Sequence, residues 1–131
     1  MDEFGGKRVK MTTVIIFLLL VGGVWFFWSQ NRGGQLGVEE ASELLSKGAI
    51  MLDVRSEGEF RSGHLSMAKN LPLNQLKSGI AAMAPSQDAV ILCHCASGIR
   101  SGKAEKVLRD LGYSKVWNIG SYQRAAQIVG E

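Results

Sequence analysis

Three short apolar runs rich in branched residues, at 49–54, 89–94 and 115–119, alternate with stretches of helical spacing, and this alternation constrains the fold more than any other feature. Strands with almost no polar alternation must be covered on both faces, which a parallel sheet flanked by helices provides. The spacing predicts helices at 38–47, 74–83, 101–111 and 121–129, a helical turn at 57–61 and a small strand at 69–71. The fold class is therefore α/β, three layers with a central parallel sheet. In open sheets of this kind, sites form beyond the carboxyl ends of the strands. Asp53 and Arg55 stand at one such end and Cys95 at another.

The stretch Cys95-Ala96-Ser97-Gly98-Ile99-Arg100-Ser101 links the strand at 89–94 to the helix at 101–111. A cysteine there lies beside the first free N–H groups of a helix, whose partial positive charge favours thiolate over thiol. Successive amides curling around one sulfur form an anion-binding nest, and Gly98 permits the backbone angles that such curling needs. Arg100 adds a full positive charge, so the loop suits a thiolate nucleophile and an anionic substrate. Cys93 reads as a buried apolar side chain one step deeper on the strand. A Cys93–Cys95 disulfide would close a strained ring.

Neighbouring strand residues face opposite ways, which sends His94 to the other side of the sheet from Cys95. His64 reads as a hydrogen-bonded structural histidine. Asp53 is expected to accept backbone or arginine hydrogen bonds, and Arg55 to stand either at the pocket rim or in solvent; both are supporting candidates. Two cysteines and two histidines match no structural zinc site in count or spacing, so no metal is expected.

Several motifs carry a family resemblance. The Cys95–Ser101 loop resembles the active-site loop of rhodanese-domain sulfurtransferases. Leu52-Asp53-Val54-Arg55, Glu59-Phe60, Gly63-His64-Leu65 and the run from Ala68 to Pro72-Leu73 resemble that family's upstream signature. Leu111-Gly112-Tyr113 and Val116-Trp117-Asn118-Ile119-Gly120 resemble its closing strand and turn, although Gly120-Ser121-Tyr122 departs from the Gly-Gly-Trp of many members. The likeness is greatest to small, single-domain, exported rhodaneses of the phage-shock type and covers residues 38–120.

That resemblance implies a thiosulfate:acceptor sulfurtransferase, working through a persulfide on Cys95 without cofactor or metal. Thiosulfate or another sulfane-sulfur compound would be the donor, and a thiol or cyanide the acceptor. Ala96, Ser97, Gly98, Ile99, Arg100 and Ser101 would bind the substrate through loop amides, the Arg100 charge and the Ser101 hydroxyl. Two alternatives stay open. A sulfur carrier or binding module in a membrane complex would share the persulfide chemistry. A cysteine-based phosphatase of the related cell-cycle type has Cys-x5-Arg, whereas Cys95 to Arg100 is Cys-x4-Arg, a cradle better sized for one sulfur than for a phosphate.

The N-terminal third is of another character. A basic segment at 1–10 precedes an uncharged, almost wholly apolar run at 11–28, which as a helix rises about 27 Å, close to the bilayer core. It is expected to be a transmembrane anchor in contact with the lipid bilayer. Trp25 and Trp28 suit an interfacial belt, and Trp25-Phe26-Phe27-Trp28 offers no small-residue cleavage site for a signal peptidase. Residues 29–37 read as a linker and 38–131 as the rhodanese domain. The net charge of +3 sits mainly around the apolar run; the remaining residues balance eleven basic against ten acidic groups, which gives no footprint for nucleic acid. Lys7, Arg8 and Lys10 precede the run and only Arg32 closely follows it. The positive-inside tendency then predicts a single-pass protein of the cytoplasmic membrane with its domain in the periplasm or outside the cell.

Overall fold

The computed structural model describes residues 10–30 and 35–131, the side chains of 25–30 excepted. The basic segment, apart from Lys10, and residues 31–34 of the expected linker lie outside the described residues. The chain divides into two compact units, Met1–Gly34 and Gln35–Glu131.

The first unit contains helix α1, Met11–Gln30. Among the described residues no helix is long and apolar enough to cross a membrane. The described side chains of α1 stop at Val24, and those from Val14 to Val21 are at least two-fifths exposed. Apolar side chains exposed to this degree leave their surface unsatisfied in water.

The second unit is built on a four-stranded, all-parallel sheet: β1 Ile50–Asp53, β2 Lys69–Asn70, β3 Ile91–His94 and β4 Val116–Gly120, in the order β2-β1-β3-β4. Helices α2 Val38–Ser46, α3 Glu57–Ser62, α4 Leu76–Met83, α5 Ile99–Asp110 and α6 Tyr122–Val129 connect and cover it. Alternation along each strand sorts the core into two clusters. Leu52, Ile91, Cys93 and Val116 face Leu76 and Ile80 of α4 and Ala104 and Leu108 of α5. Met51, Leu92 and Ile119 face Ala41 and Leu45 of α2 and Ala125 and Ile128 of α6. The central strand β3 is buried along its whole length, which explains why its sequence carries no polar alternation.

Some boundaries differ from the sequence expectation, for local reasons. The segment predicted as one helix from residue 74 opens instead with a single 3-10 turn, Leu73–Gln75, set by Pro72 at φ −53°, and α4 follows it. Helix α5 starts at Ile99 rather than Ser101, because Gly98 at φ +96° turns the chain sharply enough for helical geometry to begin at once. Ile99 and Arg100 thereby enter the first helical turn. Packing of the domain also begins before Val38: Leu36 is buried, and its carbonyl accepts a hydrogen bond from the Arg124 guanidinium.

Truncating Leu92, wholly buried on the central strand, is expected to cost about 2–5 kcal/mol, the range for a leucine whose cavity cannot collapse. Chemical denaturation of Leu92→Ala beside the parent protein measures this, and a loss below about 1 kcal/mol would mean that the site relaxes far more than a dense core allows.

Candidate active site

Strand β3 delivers Cys95 to the end of the sheet, where its N–H donates to Gly120 O at 3.3 Å. From there the chain curls. The Gly98 N–H donates to Cys95 Sγ at 3.0 Å, and the Ser101 hydroxyl lies 3.4 Å from the same sulfur. Ser97 forms an isolated antiparallel bridge with Ser121, and Ala96 O accepts from Tyr122 N–H at 3.2 Å. The loop is thus clamped against the β4–α6 turn. Gly120-Ser121-Tyr122, the departure from the resembled family's usual turn, closes this side of the site.

Cys95 is 1% exposed, and burial pushes its thiol up. The hydroxyl of Ser101 and the N–H groups of Ser101, Gly98 and Ser97 push the other way and prevail, leaving the pKa below the ordinary thiol value. Cys93, completely buried, has no such donors; burial drives its thiol far up, with the charges of Glu105 and Cys95 adding to the effect. Both cysteines are free. Of the two sulfurs, Cys95 is thus the more acidic.

The Ser101 hydroxyl has one proton and three acceptors, Sγ of Cys95 and Gly120 O, each at 3.4 Å, and Oδ1 of Asn118 at 2.7 Å. With a neutral thiol the shorter bond to Asn118 prevails; with a thiolate the charge-assisted bond becomes the stronger. Asn118 also accepts from Gly120 N–H at 2.9 Å and donates to Gly98 O at 3.1 Å, so one side chain on β4 ties together both ends of the cradle. No sequence signal marked Asn118 for this role.

Arg100 is placed at the loop as expected, but its charge is already matched. Its Nη1 and Nη2 donate to the two carboxylate oxygens of Glu59, at 2.6 and 2.9 Å. Glu59 is held in turn by a capping box at the start of α3, in which its Oε1 accepts from the Ser56 N–H at 3.3 Å and hydroxyl at 3.1 Å, while Glu59 N–H donates to Ser56 Oγ. The hydrogen bonds from Arg100 bring the Glu59 pKa down to about 2 against a smaller upward push from desolvation, with Ser56 assisting. Positive potential at the sulfur consequently comes first from the amides and the start of α5. The Ser-x-x-Glu spacing at 56–59, which the sequence reading passed over, could have marked the cap but not its partner. Ile99 projects into solvent, 69% exposed.

The supporting residues lie on the other side of β3. Arg55 is neither at a rim nor in solvent: it is buried, with Nε and Nη2 on the Asp53 carboxylate at 2.7–3.0 Å, Nη2 on Gly63 O at 2.8 Å and its guanidinium 4.7 Å from the centre of the Tyr122 ring. Asp53 also accepts the Arg55 N–H, holding the turn after β1 as expected. His94 does point away from Cys95; it is fully buried, and burial keeps its pKa low, Asp53 at 3.9 Å notwithstanding. His64 stacks on Phe60 and shares a hydrogen bond with Phe60 O at 2.9 Å. Among the described residues no group of His, Cys, Asp and Glu is placed to hold a metal ion.

Comparison with known proteins bears on the family and the fold. The model of the rhodanese-like domain family matches residues 37–125. The chain is 32% identical over 75 residues to the thiosulfate sulfurtransferase PspE of Escherichia coli, covering 57% of this chain and 72% of that one. It is 35% identical over 111 residues to the uncharacterized protein YqhL of Bacillus subtilis, covering 84% and 86% respectively. Among solved structures it superposes on the human single-domain sulfurtransferase TSTD1 with a TM-score of 0.61 at 26% identity, over 71% of this chain and 95% of that one. A rhodanese from E. coli determined with anions gives 0.57 at 30% identity, over 59% and 91%.

Replacing Ser101 with alanine removes one donor from the sulfur, and the midpoint of Cys95 alkylation by iodoacetamide should move to higher pH. At pH 7 the rate should fall roughly three- to tenfold. Peptide mass mapping should meanwhile find Cys93 unlabelled until the protein unfolds. An unchanged Cys95 midpoint would mean that the hydroxyl stays on Asn118 in both protonation states.

Proposed function

This chain belongs to the rhodanese-like domain family and is a sulfurtransferase, and from that premise we propose that it passes sulfane sulfur from thiosulfate or a similar donor to a thiol or cyanide through a persulfide on Cys95. The observation that carries the reading is the 3.0 Å hydrogen bond from Gly98 N–H to a sulfur whose acidity is raised by its loop. In the first half-reaction the Cys95 thiolate attacks the outer sulfur of thiosulfate. The S–S bond of the donor breaks, its electron pair leaves with sulfite, and a new S–S bond remains on Cys95. The amides of Ser97, Gly98 and Ser101 meet the charge of thiolate and persulfide in turn. An acceptor nucleophile then takes the outer sulfur and returns the thiolate.

Cys-x4-Arg disfavours the phosphatase alternative, because its single arginine is committed to Glu59 and the loop is one residue shorter than a phosphate cradle. A carrier without turnover is separated from an enzyme by kinetics. Incubation with thiosulfate should add one sulfur atom to Cys95, seen by intact-mass spectrometry. Cys95→Ser should lower thiosulfate:cyanide transfer at least roughly a thousandfold, while Cys93→Ala keeps it within about threefold. Complete loss in a folded Cys93→Ala protein would reassign the nucleophile. Labelling without turnover by any acceptor would favour the carrier.

We further propose that α1 anchors the protein in the cytoplasmic membrane, with the domain on the outer side. The support for this reading is the uncharged, apolar sequence at 11–28 and the exposure of the side chains from Val14 to Val21. The protein should sediment with membranes at its uncleaved mass, and protease added to cells with a permeabilised outer envelope should degrade the domain. Protection until the inner membrane is lysed would reverse the orientation. A soluble product starting near residue 30 would make the apolar run a signal peptide instead.

A further inference from the structure

A pocket of about 620 Å³ is walled by Val54, Pro72 and Leu73, by the charged residues Glu57 and Arg100, and by three uncharged polar residues. Arg100 belongs both to this wall and to the first turn of α5, which starts from the cradle, and the Val54 N–H donates to the carbonyl of His94, the residue before Cys95, at 3.1 Å. The volume lies in the range of sites for organic molecules, well beyond the need of thiosulfate with its five heavy atoms, and most of its exposed lining is apolar. Its charge runs against an anion. The guanidinium of Arg100 is cancelled by Glu59 through two hydrogen bonds, whereas Glu57 enters no ion pair among the described residues. Glu57, in the first turn of α3, thus leaves one negative charge without an ion-pair partner on the pocket lining.

We propose that this pocket is the acceptor subsite and that Glu57, together with the Glu59–Arg100 pair, selects organic thiols bearing a positive charge near the sulfur, aminothiols, over anionic thiols. The proposal rests on the Cys95 persulfide and adds the class of molecule that discharges it. The aliphatic part of the acceptor lies along Val54, Pro72 and Leu73, and its ammonium faces Glu57. The acceptor thiolate attacks the outer sulfur of Cys95–S–SH; the bond between that sulfur and Sγ breaks, its electron pair returns Cys95 to thiolate, and the acceptor leaves as R–S–SH with the proton it received. No oxidant or reductant is consumed. Glu57 and Glu59 touch no reacting atom, and their part is selection.

The test uses the full-length protein, loaded with sulfur and confirmed by intact mass before any thiol is added. Discharge is then followed with cysteamine, mercaptoethanol and mercaptoacetate, which are cationic, neutral and anionic at neutral pH. Their intrinsic reactivities differ, so the quantity compared is the ratio of cysteamine to mercaptoacetate second-order rates in each protein. Glu57→Gln should lower that ratio roughly threefold relative to the parent protein. Glu59→Gln, which unmasks Arg100, should lower it roughly tenfold, and 0.5 M salt should shrink both differences. Far-ultraviolet circular dichroism verifies that both variants are folded. Ratios unchanged in both variants would overturn the proposal, as would a parent ratio no higher than that of free Cys persulfide in solution. Failure to form the persulfide at all would show up at the loading step and would remove the underlying reading rather than the selectivity alone.

Discussion

Two glycines touching across the end of the sheet set the geometry on which the sulfur depends. Gly98 sits at φ +96° and Gly120 at φ +98°, and a methyl group on Gly98 would come within 3.3 Å of Gly120 Cα and 3.4 Å of its carbonyl carbon. Neither backbone can give way, because Gly120 O receives the Cys95 N–H and Gly120 N–H is held by Asn118. The left-handed turn at Gly98 aims its own N–H at Sγ and starts α5 one residue later. The acidity of Cys95, the placing of Arg100 in the first helical turn and the reach of Ser101 all follow from that contact. A side chain at either position would move the amides before it weakened any interaction of the core.

The second organising element is a division of labour across β3. On one side Cys93 and Cys95 join the cluster covered by α4 and α5. On the other, the Asp53–Arg55 pair, Tyr122 and the carbonyl of Gly63 knit the turn after β1 to the start of α6. His94 sits against this network with both ring nitrogens unpartnered, which accords with a neutral imidazole kept there by burial. Removing one member of such a buried charge pair leaves the other uncompensated, so Asp53 and Arg55 act on the site through the stability of the loops that frame it.

The layered α/β fold was legible because parallel strands buried on both faces lose the polar alternation of exposed ones, and 49–54 and 89–94 show that loss plainly. Cys95 was legible because a strand, a glycine-bearing loop and a helix in succession concentrate free amides at one place. What sequence patterning could not show was pairing at a distance. Glu59 is 41 positions from Arg100 and Asn118 is 17 from Ser101, and nothing in periodicity or capping rules joins them. The same holds for Arg55, whose burial depends on Gly63 and Tyr122 closing over it. The start of α5 was misplaced because helical spacing registers where a helix has settled, whereas the start is dictated by one residue's positive φ.

The alternation of side chains on β3 has a consequence for how such a domain can diversify. Cradle and stabilising network hang from opposite faces of one strand, and the cradle is closed by a loop that contributes little to either cluster. Lengthening or recolouring that loop alters the size and charge of the anion it encloses while the sheet beneath keeps its register. One scaffold can in this way be refitted for different leaving groups by edits confined to a handful of codons, and the hydrophobic layers need not be rebuilt each time.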